Sequence, residues 1–322
     1  MNLFSLAVLL STFMTGVLHG DDMTPEQKER QKKAVATVQR LTGDRYSVEW
    51  DLNDKMTRVA INGVPADSPE SISELLGDLG QFRDLELSRA VANDQELQAV
   101  SRLTFLESCA ISGALVTDDV VSYLLPLKNL EGIVLSNGPL TGANLGRLRA
   151  CPKLASLYLG HLKEFSPEAA GQICEISSLR RFSVYFTPFK DADVATLARN
   201  KNWTYLQFTK TEITDSALES LATLPRLTHL SVGEDGVTSA GIQSLAKSES
   251  IEWMDLRFSK NLDDATTDAL AKMPRLRKVM LLDKNNISAE AVKRLAAQRP
   301  KLLIQHPATD HYQKVGWGGF ME

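Results

Sequence analysis

The chain has 322 residues, 43% of them hydrophobic, with a formal net charge of -4 and a pI of about 5.8. That length suits one large domain or two ordinary ones, and the acidic balance excludes the basic footprint that neutralising phosphates requires. Nucleic acid is therefore not an expected partner. Cys109, Cys151 and Cys174 form an odd set without a C-x-x-C, which reads as small buried thiols rather than a disulfide framework or a metal site.

Met1 to Gly20 carries an uncharged apolar run from Leu3 to Met14, and polar sequence begins at Asp21 and Asp22. Residues 1–20 look like a secretory signal peptide, cut after Gly20 or Gly16, or else kept as an uncleaved anchor. The run is short against the ~20 apolar residues of a membrane-spanning helix, and no other segment is long enough to span. Residues 21–45 hold a helix with Thr24 as N-cap, Pro25 at its first position, Gln27 closing a capping box and Gly43 as the stop. Ala34, Val35, Val38 and Leu41 give it one apolar stripe, suited to covering the open end of a repeat array. Tyr46, Val48, Trp50 and Leu52 then alternate with polar residues, Asn53-Asp54 supplies a turn, and Thr57 to Ile61 returns as the second strand of a hairpin.

From there to residue 304 the chain repeats. Leu221 to Val232 laid over Leu245 to Leu256 puts Leu221 on Leu245, Leu227 on Ile251, Leu230 on Met254 and Val232 on Leu256, an offset of 24 residues throughout. A fixed period in the twenties with an L-x-x-L-x-L core marks a solenoid in which each turn contributes one short strand. The paired core positions run through Val59/Ile61, Leu85/Leu87, Leu106/Ser108, Ile133/Leu135, Leu157/Leu159, Phe182/Val184, Leu206/Phe208, Leu230/Val232, Met254/Leu256 and Val279/Leu281. Leu302/Ile304 is a degraded eleventh. The steps on either side of Leu106 are 21 and 27 residues, so the register is weakest there. Between strands, Ser166-Pro167, Thr214-Asp215, Thr238-Ser239, Asp263-Asp264 and Ser288-Ala289 place helix-capping residues before apolar i,i+3 pairs, leaving room for two to three helical turns.

With these residues the chain closely resembles leucine-rich repeat proteins from about Val59 to Ile304. The T-D-x-x-L-x-x-L stretch at Thr214 to Leu221 is most similar to the ribonuclease-inhibitor-like and cysteine-containing repeats, and to repeats of exported bacterial proteins. The implied fold class is α/β, a curved parallel sheet on the concave side with short helices on the convex side, in about ten repeats. Where those families place an Asn or Cys three residues after the L-x-L step, this chain has Thr187, Thr211, Asp235 or Ser259, which can bond the loop backbone more weakly. Residues 305–322, with Trp317 and Phe320 among glycines, leave the repeat pattern as an irregular tail.

There is no H-E-x-x-H, G-x-S-x-G, Walker-type loop, or G-x-G-x-x-G after a strand. His306, Asp310 and His311 are the only dense polar cluster and read as solvated terminal residues; the paired aspartates sit at helix starts, where the helix dipole favours them. No enzyme, cofactor or metal is expected. The resemblance implies an exported scaffold, secreted or at the cell surface, that binds a protein through its concave face. Carbohydrate or small-ligand capture by exposed aromatics and an effector or adaptor role are the alternatives. The residues just before the first core position of successive strands are Arg181, Tyr205, His229, Trp253 and Lys278, whereas the early turns place small Gly132 and Ser156 there. Three rings on adjacent strands predict a ladder bordered by Gln207, Asp255 and Arg257, with the composition of an interface hot spot.

Overall fold

The computed structural model describes residues 24–43, 46–51, 55–63, 72–88, 94–113, 116–234, 236–281 and 285–309. The expected signal segment, the hairpin turn at Asn53-Asp54, Asp235 and the tail from Asp310 lie outside them. The chain divides into two compact units: the described residues up to Leu140 with Arg147–Leu154, and Thr141–Gly146 with those from Ala155 onward.

The first unit begins with α1 (Pro25–Thr42), capped as its sequence predicts. The Thr24 hydroxyl accepts from Gln27 N at 3.2 Å, and Thr24 N donates to the Gln27 amide oxygen at 2.8 Å. Gly43 ends the helix at φ 59°, its N–H donating to Gln39 O. Strands β1 (Tyr46–Trp50) and β2 (Met56–Asn62) form the antiparallel hairpin, but a register shift at Glu49/Trp50 turns Trp50 out of the alternation into solvent. Then follow α2 (Ile72–Leu79), β3 (Asp84–Ser88), α3 (Asp94–Val100), β4 (Ser108–Ser112), α4 (Val120–Leu124) and β5 (Gly132–Ser136). Strands β2 to β5 pair in parallel in chain order. The N-terminal helix is tied to the first turn by a buried polar anchor absent from its apolar stripe: Gln31 Nε2 donates to Leu79 O at 2.7 Å.

The second unit repeats one motif: β6 (Ser156–Gly160), α5 (Ala169–Cys174), β7 (Arg181–Tyr185), α6 (Asp191–Leu197), β8 (Tyr205–Thr209), α7 (Asp215–Leu221), β9 (His229–Gly233), α8 (Ser239–Leu245), β10 (Trp253–Asp255), α9 (Ala265–Lys272), β11 (Lys278–Met280), α10 (Ala289–Gln298) and β12 (Leu303–Gln305). Its strands pair in parallel in the same sequential order. Phe182, Leu206, Leu230, Met254 and Val279 align side by side and are fully buried, so one side chain in two from every strand feeds a continuous core.

Two expected pairs are displaced. Leu85 aligns with Cys109 and Leu87 with Ile111, so the core pair of β4 is Cys109/Ile111 rather than Leu106/Ser108. Leu106 fills the earlier leucine position and is fully buried. Cys109 follows Leu85 by 24 residues and precedes Ile133 by 24, so the apparent irregularity came from passing over a thiol as a core side chain. Burial pushes the Cys109 thiol up to about 12, consistent with a packing role. All three cysteines are free thiols. At the other end, Ile304 aligns with Val279, which hands the second core position to His306 instead of pairing Leu302 with Ile304. His306 is buried, not solvated, and its Nδ1 accepts from Ala308 N at 3.0 Å.

After the strands, Asn137, His161, Phe186 and Lys210 take left-handed backbone conformations with φ between 45° and 61°. The turn lets His161, Phe186 and Lys210 donate their N–H to Tyr185 O, Thr209 O and Gly233 O on the following strands. Asn137 and His161 are residue types enriched in that region, whereas Phe186 and Lys210 are not.

Candidate functional site

Strand pairing sets the expected column in register: Arg181 opposite Tyr205, Tyr205 opposite His229, His229 opposite Trp253, and Trp253 opposite Lys278. Because Phe182, Leu206, Leu230, Met254 and Val279 point inward, their predecessors point to the outward sheet face. The Arg181 guanidinium lies 4.9 Å from the Tyr205 ring centre, and the Lys278 ammonium 5.7 Å from that of Trp253. Tyr205 and His229 are stacked at 6.3 Å, and His229 meets Trp253 at 5.3 Å with a 60° tilt. Three rings closed at each end by a cation make a five-residue ladder. Leu303 extends it beyond Lys278 and is 50% exposed.

Exposure along the ladder is uneven. His229 is open and Trp253 is only 8% exposed, flanked by His229 and Lys278. Burial, and then the Arg181 charge, push the His229 imidazole below its ordinary value, which keeps it neutral near pH 7. Its Nδ1 is 2.9 Å from the Thr228 hydroxyl. The Tyr205 hydroxyl donates to Gln207 Oε1 at 3.0 Å, and the Ser183 hydroxyl reaches the same oxygen at 3.4 Å. Burial raises the Tyr205 phenol to about 12.

Asp255 and Arg257 lie beside the ladder as a bidentate pair, Nε and Nη2 donating at 3.0 and 3.2 Å, with Arg257 N on the same carboxylate at 3.1 Å. Asp255 is 1% exposed, and burial raises its carboxyl while Arg257 opposes the rise. Such a pair stiffens the sheet face under the rings more readily than it meets a partner. Ser156 continues the same column onto β6, opposite Arg181, and leaves it there without a ring; Gly132 stands at the outward position beside Ser108 in the first unit.

The opposite sign of charge marks the outward positions of the first unit. Arg58 is buried between Glu49 at 3.3 Å and Glu86 at 3.0 Å, and Asp84 stands in the same column. Burial drives the Asp84 carboxyl up to about 6, with Arg58 opposing and Glu107 and Glu49 adding to the rise.

The loop positions that the resemblance gives to Asn or Cys hold working hydroxyls. The Thr187 hydroxyl donates to Tyr185 O at 3.1 Å and accepts from Leu162 N at 3.2 Å; the Ser259 hydroxyl donates to Val232 O at 2.9 Å and accepts from Glu234 N at 3.4 Å. At Thr211 the neighbouring turn supplies the acceptor instead, Glu234 Oε1 taking both its N–H and its hydroxyl. Apart from the local Thr187–Tyr185 bond, these bonds join one turn to the next, so the substituted residues keep the inter-turn role.

The fold is that of a leucine-rich repeat solenoid. Each of its two units is a stretch of leucine-rich repeat solenoid, strands on one side and short helices on the other. No family model and no curated protein matches the chain. Among solved structures it is similar to an internalin (inlF) from Listeria monocytogenes str. 4b F2365, at 18% identity over 96% of this chain and 91% of that one, with a TM-score of 0.46. No helix among the described residues is long and apolar enough to cross a membrane.

One aromatic group escaped the sequence reading. His161 stacks on Phe186 at 5.0 Å and 6°, and Tyr185 meets both edge-on. Phe186 and His161 project from left-handed turns, a placement that the strand period does not encode.

Proposed function

We propose that the protein is an exported, non-enzymatic scaffold that holds a protein partner on the outward sheet face of its second unit. The observation that supports this reading is the in-register ladder of Arg181, Tyr205, His229, Trp253 and Lys278. Tyr, Trp and Arg are the residues in which interface hot spots are enriched, and ring stacking restricts their side chains before a partner arrives. Gln207, Asp255 and Arg257 belong to the surface as its support, holding Tyr205 and the strand backbone in place. Export rests on the apolar segment from Leu3 to Met14, outside the described residues.

The test is chemical crosslinking and capture in the native exported fraction, comparing the wild type with the triple variant Tyr205→Ala, His229→Ala, Trp253→Ala. Far-UV circular dichroism checks that the variant is folded. The expected result is a protein band lost in the variant. A band of equal intensity moves the site off the ladder, and glycan-array binding in place of a protein band favours carbohydrate capture.

A further inference from the structure

The ladder face carries a charge that the whole chain does not. Among the described residues, the second unit's outward strand positions hold Arg181 and Lys278 against Asp255, and that carboxylate is engaged by Arg257 just beyond β10. At the margin, Glu252 meets Arg275 at 2.7 Å and Arg277 at 3.6 Å, so cations outnumber carboxylates there as well. The Arg277 side chain is 75% exposed. This surplus sits in a chain of net charge -4, and the first unit's outward positions are acidic, with Glu49, Asp84 and Glu86 around Arg58.

Placement narrows the partner further. Arg181 and Lys278 occupy opposite ends of the ladder, four strand spacings apart or about 19 Å, with only rings between them. Contact with a ring face covers a cation's apolar flank and leaves its charge in place. A sulfated glycan or a nucleic acid carries an anion on every unit and is matched by an unbroken row of cations, whereas the centre of this ladder is a neutral imidazole. An extended polypeptide of roughly six residues spans the same distance and can put acidic groups at its ends and apolar groups between them.

We propose that the ladder face accepts an acidic polypeptide segment of the partner, carboxylates over Arg181 and Lys278 and apolar side chains on the rings between. This rests on the reading of the ladder as the partner-binding face.

The probes are a labelled peptide alternating glutamate with leucine, its lysine–leucine counterpart and a heparin fragment, each titrated into the full chain by fluorescence anisotropy at low and high salt. The glutamate peptide is expected to bind and to weaken as salt rises, because opposite charges at an exposed rim are screened. Arg181→Glu with Lys278→Glu should cost at least about tenfold in affinity and bring in the lysine peptide. The milder glutamine pair should lose affinity without that gain, and far-UV spectra confirm folding. No uptake of the glutamate peptide, equal uptake of the lysine peptide by the wild type, or a preference for heparin overturns the proposal. If the triple ring variant loses the glutamate peptide while charge reversal leaves it bound, the ladder remains the binding face and the acidic partner is wrong. If neither change matters, both readings fall.

Discussion

Leu230 and His229 are neighbours in the chain and face opposite ways from β9, one fully buried and one open to solvent. Leu230→Ala is expected to cost about 2–5 kcal/mol through the cavity it leaves, and His229→Ala less than about 0.5 kcal/mol. Paired denaturant melts check the difference. Ser231 is a poorer control although it too points outward, because it is buried and its hydroxyl reaches Asp255 at 3.5 Å. Asp84 supplies a pH-dependent counterpart. Its folded value of about 6 lies above the ordinary aspartate value, so the folded state binds the proton more tightly and its contribution to stability falls as pH rises between about 4 and about 6. Asp84→Asn should flatten that part of a stability profile measured by chemical denaturation. The leucine positions were legible in sequence because large apolar side chains declare the period. Cys109 and His306 were not, since a thiol or an imidazole fills a core position without announcing it.

At the scale of elements, the helices are joined to one another by their capping residues, a device that local sequence conceals. Asp215, at the start of α7, accepts from Thr238 N at 2.7 Å and from the Thr238 hydroxyl at 2.6 Å, one turn further along. Asp191 does the same for Thr214, and Asp264 for Ser288. In sequence these residues stand at helix starts, where the helix dipole accounts for Asp191 and Asp264 and capping for the Thr214-Asp215 pair. What the sequence does not show is the partner, which lies 23 or 24 residues away. Asp215→Ala should destabilise the protein by about 1–3 kcal/mol by stranding the Thr238 donors, measurable by thermal melting. Gly241 in α8 packs against the Asp215 carboxylate so closely that a Cβ would collide with it. Gly241→Ala is therefore expected to destabilise, although alanine is worth about 1 kcal/mol more than glycine in an open helix. The backbone N–H of Ser288, followed by its hydroxyl, holds the Asp264 carboxyl below the ordinary range. That clamp is intact above the ordinary carboxylate value and is lost as pH falls through the lower folded one, and exchange of the amides of α10 should accelerate there first.

For the whole molecule, the 24-residue period made the architecture legible before any coordinates, because a stacked turn repeats its core at a fixed interval. The ladder was legible for the same reason: strands of one length in one register bring residues one period apart side by side. Exposure along it was not, since covering Trp253 takes the neighbouring His229 and Lys278 in three dimensions. The left-handed turns that carry His161, Phe186 and Lys210 were equally hidden, because no glycine marks them. The measurement that tests the account most directly is photo-crosslinking in the native compartment, with a photoreactive amino acid at His229 in the ladder and, separately, at Glu219 on the exposed side of α7. A discrete protein adduct from position 229 and none from 219 is the predicted result. An adduct from 219 with none from 229 would contradict it and place the partner on the helices.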